Sequence, residues 1–385
     1  MLIAGESSGD SHAASLVGAM RKLSPGVEYE FFGATGKKMR AAGVETIVKA
    51  DQFGIIGGPE VARAIPMFWS VYKKLRDEAV KRRPDAVILV DFPEFNLKLA
   101  KALKSNGLHI IYYISPQLWA WRKYRKRTIE KYVDLLLTIL PFEKDWYLKQ
   151  GIRHVEYVGN PLAGEVAPKV TKADFCRKHS LDPDRPIVAF LAGSRKKEVS
   201  RILPTMVKTA IRMAETNPAL QFVNAVAASR DISEIDGIMS MLKAKDIRGG
   251  ENFISVHDET HDALNAADAA AVTSGTATLE TAIIGTPLAI VYRSTAINWY
   301  LLRPLINIEH VGLVNLIAQE RLAKELIQFE LTDEALSREL FRLLEPAENQ
   351  KMRQELRKVS DSLGAGGAST RAAEMVLKFL DHSSS

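Results

Sequence analysis

The chain has 385 residues, 46% apolar and 25% charged, the make-up of an ordinary globular protein long enough for two or three domains. Lysine and arginine exceed aspartate and glutamate by 52 − 46 = 6, a mild surplus that by itself argues for neither a nucleic-acid nor a membrane partner. No run approaches the roughly 18 consecutive apolar residues of a spanning helix, and MLIAGESSGD has no basic stretch ahead of an apolar one. The single cysteine, Cys176, excludes an intrachain disulfide and fits a reducing compartment, so a cytoplasmic protein is expected.

In chain order, the first feature is IAGESSGD at 3–10, a glycine-serine turn between a short strand and a helix. It matches neither the dinucleotide fingerprint nor the P-loop. Its N–H groups either hold a ligand at the helix N-terminus or form a plain turn capped by Ser8 or Asp10. QFGIIGGPEVARAIPMFWSVYKK follows at 52–74. There Phe68, Val71, Tyr72, Leu75 and Ala79 keep helical spacing, while Met67 and Trp69 project roughly 100° to either side of that stripe. Ile55 and Ile56 fall on a glycine-rich loop, and the segment is either an apolar lip or a loop over a core helix.

AVILVD at 86–91 predicts a buried parallel strand with Asp91 at its carboxyl tip, beyond which open α/β sheets bind ligands. Phe92-Pro93 stops the strand, and a helix over 95–106 closes at Asn106-Gly107. Asp91 therefore either touches substrate or caps the next helix. IIYYIS at 110–115 and LLLTIL at 135–140 predict two more strands. The basic runs WRKYRKR (121–127) and KRR (81–83), with Lys73 and Lys74, suit a nucleic-acid backbone, an anionic membrane or simply a solvated face.

The strand-poor, proline-rich stretch 160–186 holds the expected domain boundary. Beyond it IVAFLAGS, QFVNAVA, NFISV, AAAVTSG and PLAIVYR predict strands separated by helices over 198–216, 231–245 and 276–284. In LAGSRKKEV the Gly193-Ser194-Arg195 turn opens a helix, which suits a pyrophosphate, although a surface arginine fits the same pattern. In TSGTATLE, Ser274, Gly275 and Thr276 open another helix, with Glu280 one turn in, where a carboxylate can accept both ribose hydroxyls. Together the two turns read as a nucleoside-diphosphate site. HDETH at 257–261 lacks the glutamate of the zinc-protease motif, and DPD at 182–184 reads as a turn, so no metal site is expected. The expected fold is α/β: two doubly wound, Rossmann-like domains facing across a cleft, over 1–165 and 166–345, with a helical tail over 346–385.

AGESSGD, DFPEFN, YYISPQLWAWR, LPFE, YVGNPL, GSR, SGTATLE and VNLIA stand in an order that resembles the lipid-A-disaccharide synthase family, glycosyltransferases of the two-domain GT-B type. The resemblance covers about 1–330. It implies a UDP-2,3-diacylglucosamine donor, a 2,3-diacylglucosamine 1-phosphate acceptor (lipid X), a β-1,6 bond formed with inversion, release of UDP, and no cofactor or metal. Asp91 then becomes the general base, with Glu6, Ser8 and Asp10 lining the acceptor side. Gly193, Ser194, Arg195, Ser274, Gly275, Thr276, Glu280 and Asn315 become UDP contacts. Ile55, Ile56, Met67, Phe68 and Trp69 become contacts with the cytoplasmic face of the inner membrane, without a nucleic-acid partner, and a homodimer is compatible with the family. The chain departs from the family pattern at Ala192, where proline is expected, and at Gln319 and Lys324, where glycine and proline are expected. The competing readings are another GT-B enzyme acting on a UDP-sugar, and a non-catalytic binder of nucleic acid or nucleotide sugar.

Overall fold

The computed structural model describes residues 1–50, 61–228, 230–241, 253–295 and 310–383. They form two compact units, Met1–Pro161 together with Ala365–Ser385, and Leu162–Gly364. The first is built on seven parallel strands: β1 (Leu2–Ala4), β2 (Phe32–Thr35), β3 (Glu45–Lys49), β4 (Val87–Val90), β5 (Ile110–Tyr113), β6 (Leu135–Thr138) and β7 (Val155–Tyr157). Their order is β3-β2-β1-β4-β5-β6-β7. The second carries β8 (Ile187–Leu191), β9 (Gln221–Val226), β10 (Phe253–His257), β11 (Ala269–Thr273), β12 (Leu288–Tyr292) and β13 (Glu325–Ile327), ordered β10-β9-β8-β11-β12-β13 and again parallel.

The eight apolar runs of the sequence are β4, β5, β6 and β8 to β12. Their continuous apolar character follows from helices covering both faces of a parallel sheet. The strands without such a run are β1, the short strand ahead of the first turn, β2, interrupted by Gly33, and the sheet-edge strands β3, β7 and β13. β7 and β13 are three residues each, too short to show a period.

Both sheets reverse strand order once, between β1 and β4 and between β8 and β11. Successive βα connections run away from each other at such a point, which opens a crevice beyond the strand tips. The C-terminal segment is not a separate tail. Helix Pro346–Ser362 buries Met352, Leu356 and Val359 in the core of the second unit. Helix Ala368–Ser383 buries Ala372, Ala373 and Val376 against Ala13, Leu16 and Val17 of helix Ser7–Leu23 in the first. Arg371 fastens it there through Nε to the Val158 carbonyl (2.8 Å).

A buried carboxylate ties together the segments that follow β5 and β6. Glu143 Oε1 accepts from Trp119 Nε1 (3.1 Å), and Oε2 from the Leu140 and Ile139 N–H groups (3.1 and 3.3 Å). Tyr147 Oη donates to the Pro116 carbonyl (2.8 Å), and the Trp119 ring meets Phe142 edge-on at 5.1 Å. Burial outweighs these donors and raises the Glu143 carboxyl from 4.5 to about 7.

Two outcomes follow. A Cβ on Gly33 would lie 1.8 Å from the Leu2 carbonyl oxygen, at a φ of 155°. Gly33→Ala should therefore cost about 4 kcal/mol or more and abolish cooperative urea unfolding, whereas Gly18→Ala, with open space around it, should unfold normally. The native state holds the Glu143 proton that the unfolded chain releases near 4.5, so this group's stabilisation is complete below that pH and drains as pH rises through about 7. The span is on the order of 3 kcal/mol. Glu143→Gln cannot titrate, so urea denaturation should show its stability gaining on wild type between pH 5 and 8; parallel profiles would refute the assignment.

Candidate active site

At the first reversal, Ala4 and Val90 lie side by side and their chains run out into Gly5-Glu6 and Asp91-Phe92. Asp91 and Phe92 both turn left-handed, at φ 49° each, which costs an L residue roughly 1–2 kcal/mol. The surroundings hold the turn. Asp91 N–H donates to the Tyr113 carbonyl (3.0 Å). The Asp91 carbonyl accepts from Tyr112 Oη (2.7 Å) and Asn96 Nδ2 (2.8 Å). The Phe92 carbonyl accepts the Asn96 N–H (3.0 Å) as helix Pro93–Ser105 begins. The Phe92 ring lies on Gly5, where a Cβ would sit 2.3 Å from it.

The Asp91 carboxyl is raised from 3.8 to about 6, first by burial and then by the charge of Glu6, against a hydrogen bond from the Phe92 N–H. Such a carboxylate is ionised at neutral pH yet basic enough to take a proton. Glu6 and Ser8 are exposed at the start of helix Ser7–Leu23. Asp10 is placed differently from a substrate-facing group. It is buried, and its carboxylate accepts the N–H groups of Gly36 (2.8 Å), Lys38 (2.8 Å) and Met39 (3.1 Å). It caps a helix, but the one after β2, Lys37–Ala41, instead of its own.

Ile55 and Ile56 lie outside the described residues. In helix Val61–Arg82, Val71, Leu75 and Ala79 are buried, whereas Met67, Phe68 and Tyr72 pack half-buried against the same core. Phe68 sits 6.4 Å from Phe92 and 6.3 Å from Phe95, ring centre to ring centre, so this helix walls the Asp91 turn with aromatics. Trp69 is 55% exposed and stacks on Tyr72 at 5.2 Å, with Lys73 Nζ 5.4 Å from its ring. In the basic run, Arg122 and Arg125 are both engaged by Glu94, and Tyr124 is 69% exposed.

At the second reversal, β8 leads into Ala192–Arg195 and β11 into Ser274–Thr276, with Leu191 and Val272 in register. Gly193 (φ 109°) and Ser194 precede Arg195, the N-cap of helix Lys196–Thr216. The Arg195 guanidinium is 81% exposed and 3.0 Å from Glu198 Oε1, a reach available to an anion at that helix start. Ser274 Oγ donates to the Val311 carbonyl (3.1 Å), while Gly275 (φ 148°) and the exposed Thr276 open helix Ala277–Ile284. Two helix N-termini thus follow neighbouring strands beside one arginine, and their positive dipole ends suit phosphate oxygens.

Glu280 has a partner that its motif does not disclose. His261 Nε2 lies 3.2 Å from Glu280 Oε2, and that bond raises the imidazole above its ordinary pKa. As a sequence, HDETH raises only a metal question; in the fold its last histidine serves to orient a carboxylate. Asn315 is fully buried. Its amide donates to the Ala323 carbonyl (2.8 Å) and Glu325 Oε1 (2.9 Å) and accepts the Ala323 N–H (2.8 Å), so the side chain builds the loop instead of facing a nucleotide. Gln319, at the expected glycine, ends helix Leu313–Ala318 in the left-handed conformation, φ 58°, that makes glycine favourable there. Among the described residues, no three His, Cys, Asp or Glu side chains gather as metal ligands, and no helix is long and apolar enough to cross a membrane.

The family model for lipid-A-disaccharide synthetase matches residues 1–379. The lipid-A-disaccharide synthase of Syntrophus aciditrophicus (strain SB) is 40% identical over 384 residues, covering 100% of this chain and 98% of that one. The enzyme of that name from Myxococcus xanthus (strain DK1622) is 40% identical over 381 residues, 99% and 97% of the two chains. Among solved structures, a putative UDP-N-acetylglucosamine 2-epimerase from Listeria monocytogenes superposes with a TM-score of 0.67 at 15% identity, over 99% of this chain and 96% of that one. The calicheamicin glycosyltransferase CalG4 does so at 0.59 and 15%, with the same coverage. Identities that low speak to the fold, which is the GT-B arrangement of two doubly wound units. The match along nearly the whole length, at two-fifths identity to relatives of one name, settles the family: the chain belongs to the lipid-A-disaccharide synthases.

Proposed function

We propose that the chain makes the lipid A disaccharide by transferring 2,3-diacylglucosamine from UDP to the 6-hydroxyl of 2,3-diacylglucosamine 1-phosphate, with inversion and without a metal. The observation that carries the mechanism is the Asp91 carboxyl, poised at about 6 beyond a central strand tip. As the acceptor oxygen attacks the anomeric carbon, its proton passes to Asp91, and the bond to UDP breaks with its electron pair leaving on the diphosphate. The growing negative charge is met by Arg195 and by the N-termini of helices Lys196–Thr216 and Ala277–Ile284, while Glu280, steadied by His261, takes the ribose hydroxyls. Glu6 and Ser8, exposed beside Asp91, line the acceptor side, and Asp10 supports them from below.

Both substrates carry fatty acyl chains, so the enzyme must work at a lipid surface. Trp69 with Lys73 and Lys74 forms the apolar-and-basic edge proposed to dip into the cytoplasmic face of the inner membrane, and Ile55 and Ile56, outside the described residues, are proposed from the sequence to join it. Met67 and Phe68, half-buried, anchor that edge to the core.

Wild-type protein should release UDP only when both acylated sugars are present, and no turnover with that pair would sink the reading. Asp91→Asn should lose roughly 10³-fold or more in kcat while staying folded. In wild type, kcat/KM should fall about tenfold per pH unit below an apparent pKa near 6, because protonation removes the base. The double change Ile56→Ser and Trp69→Ser should cut sedimentation with anionic liposomes several-fold at an unaltered melting temperature; undiminished binding would remove this edge from the membrane contact.

A further inference from the structure

The Asp91 turn is fastened through its main chain, leaving its side chain lightly bound. Three hydrogen bonds grip the peptide groups of Asp91: its N–H to Tyr113, and its carbonyl from Tyr112 Oη and Asn96 Nδ2. The carboxylate takes a bond from the Phe92 N–H alone among its named donors. Elsewhere in the same unit, carboxylates that are pinned directly spend their lone pairs on two or three donors, as Asp10 and Glu143 do. A carboxylate held that way has its lone pairs spent on the protein and none turned toward a substrate proton.

The two clamping side chains suit a permanent grip. Tyr112 and Asn96 are both completely buried, at 0% exposure. Burial pushes the Tyr112 phenol well above its ordinary pKa, so it stays a neutral donor and is no proton carrier. Asn96 Nδ2 also reaches the Val90 carbonyl (3.3 Å), so one amide nitrogen spans two successive carbonyls where the strand ends. With carbonyls on that side, the amide nitrogen must face them. Without the clamp, the carbonyl of a left-handed aspartate would have to find water, and the turn would relax toward the common right-handed or extended regions.

We propose that Tyr112 and Asn96 are positioning residues for the sugar transfer, locking the Asp91 main chain in its left-handed turn while leaving the carboxylate free for the acceptor's proton. The proposal rests on the reading of Asp91 as general base. Displacement of a base by a fraction of an ångström is felt in kcat far more than in substrate affinity.

The test uses the full chain carrying Tyr112→Phe or Asn96→Ala, with Asp91→Asn alongside. Steady-state kinetics with both acyl sugars are read together with the melting temperature and a ¹³C NMR titration of the Asp91 carboxyl. Each clamp variant should lower kcat roughly 10- to 100-fold with both KM values within about twofold. The Asp91 midpoint should drop from about 6 toward the ordinary carboxylate range as the loosened turn admits water. Folded variants with wild-type kcat and an unmoved midpoint would overturn the proposal, whatever their melting temperature, since a purely structural role predicts that pattern. Tyr112→Phe keeps the buried ring and decides the matter alone if Asn96→Ala does not fold. If Asp91→Asn retains turnover, the general-base reading fails, and the Asp91 titration in Tyr112→Phe still decides whether the clamp exists.

Discussion

A parallel sheet can reverse its strand order only by sending two neighbouring connections to opposite faces, and the gap this leaves cannot be filled by either helix. The chain meets that constraint twice, between β1 and β4 and between β8 and β11. At one gap stands the Asp91 carboxylate, with few donors of its own; at the other stand two helix N-termini with Arg195. Helices on both faces bury the strands, and Phe92 lies against Gly5 so that the two connections of the first gap touch without closing it.

Whether a buried carboxylate builds or reacts depends on who holds its lone pairs. Asp10 holds Gly36, Lys38 and Met39; Glu143 holds Trp119 and Leu140; Asp262 holds the Lys169 and Val170 N–H groups; Glu325 holds Val311 and Gly312. Each satisfies N–H groups that a turn would otherwise leave unpaired, which is why a carboxyl is tolerated in the interior. Asp91 breaks the pattern. Its main chain is satisfied and its side chain largely is not, so its lone pairs are left over instead of spent on a cap.

This contrast also marks the limit of what residue order discloses. The eight apolar strands are legible, since covered parallel strands must be continuously apolar, and so is the doubly wound fold class, from their alternation with helices. Asp91 is legible from its place at a strand tip. Asp10 is not, because its three partners lie 26 to 29 residues away along the chain. The same holds for Asn315, whose motif suggests a ligand and whose geometry spends it on Ala323 and Glu325. His261 is hidden for the opposite reason: it stands in a pattern that raises a metal question, and its partner Glu280 belongs to a different motif. A motif fixes which residues are present; only the fold assigns their hydrogen bonds.

The aromatic helix Val61–Arg82 joins the surface to the chemistry. Trp69 stacks on Tyr72, Tyr72 meets Phe95 edge-on at 6.3 Å, and Phe95 lies 5.8 Å from Phe92, the residue beside Asp91. Rings in contact resist the rotamer changes that would let water in, because the interior has no slack to absorb them. That chain of contacts explains why an apolar segment on the protein's edge need not be a misplaced piece of core. Its inner residues fix Phe92, and with it the turn that aims Asp91. Its outer residue, Trp69, stays exposed at no cost to that packing. One helix thus grades from a solvent-facing indole to a buried leucine, and the same element that meets solvent also holds the Asp91 turn.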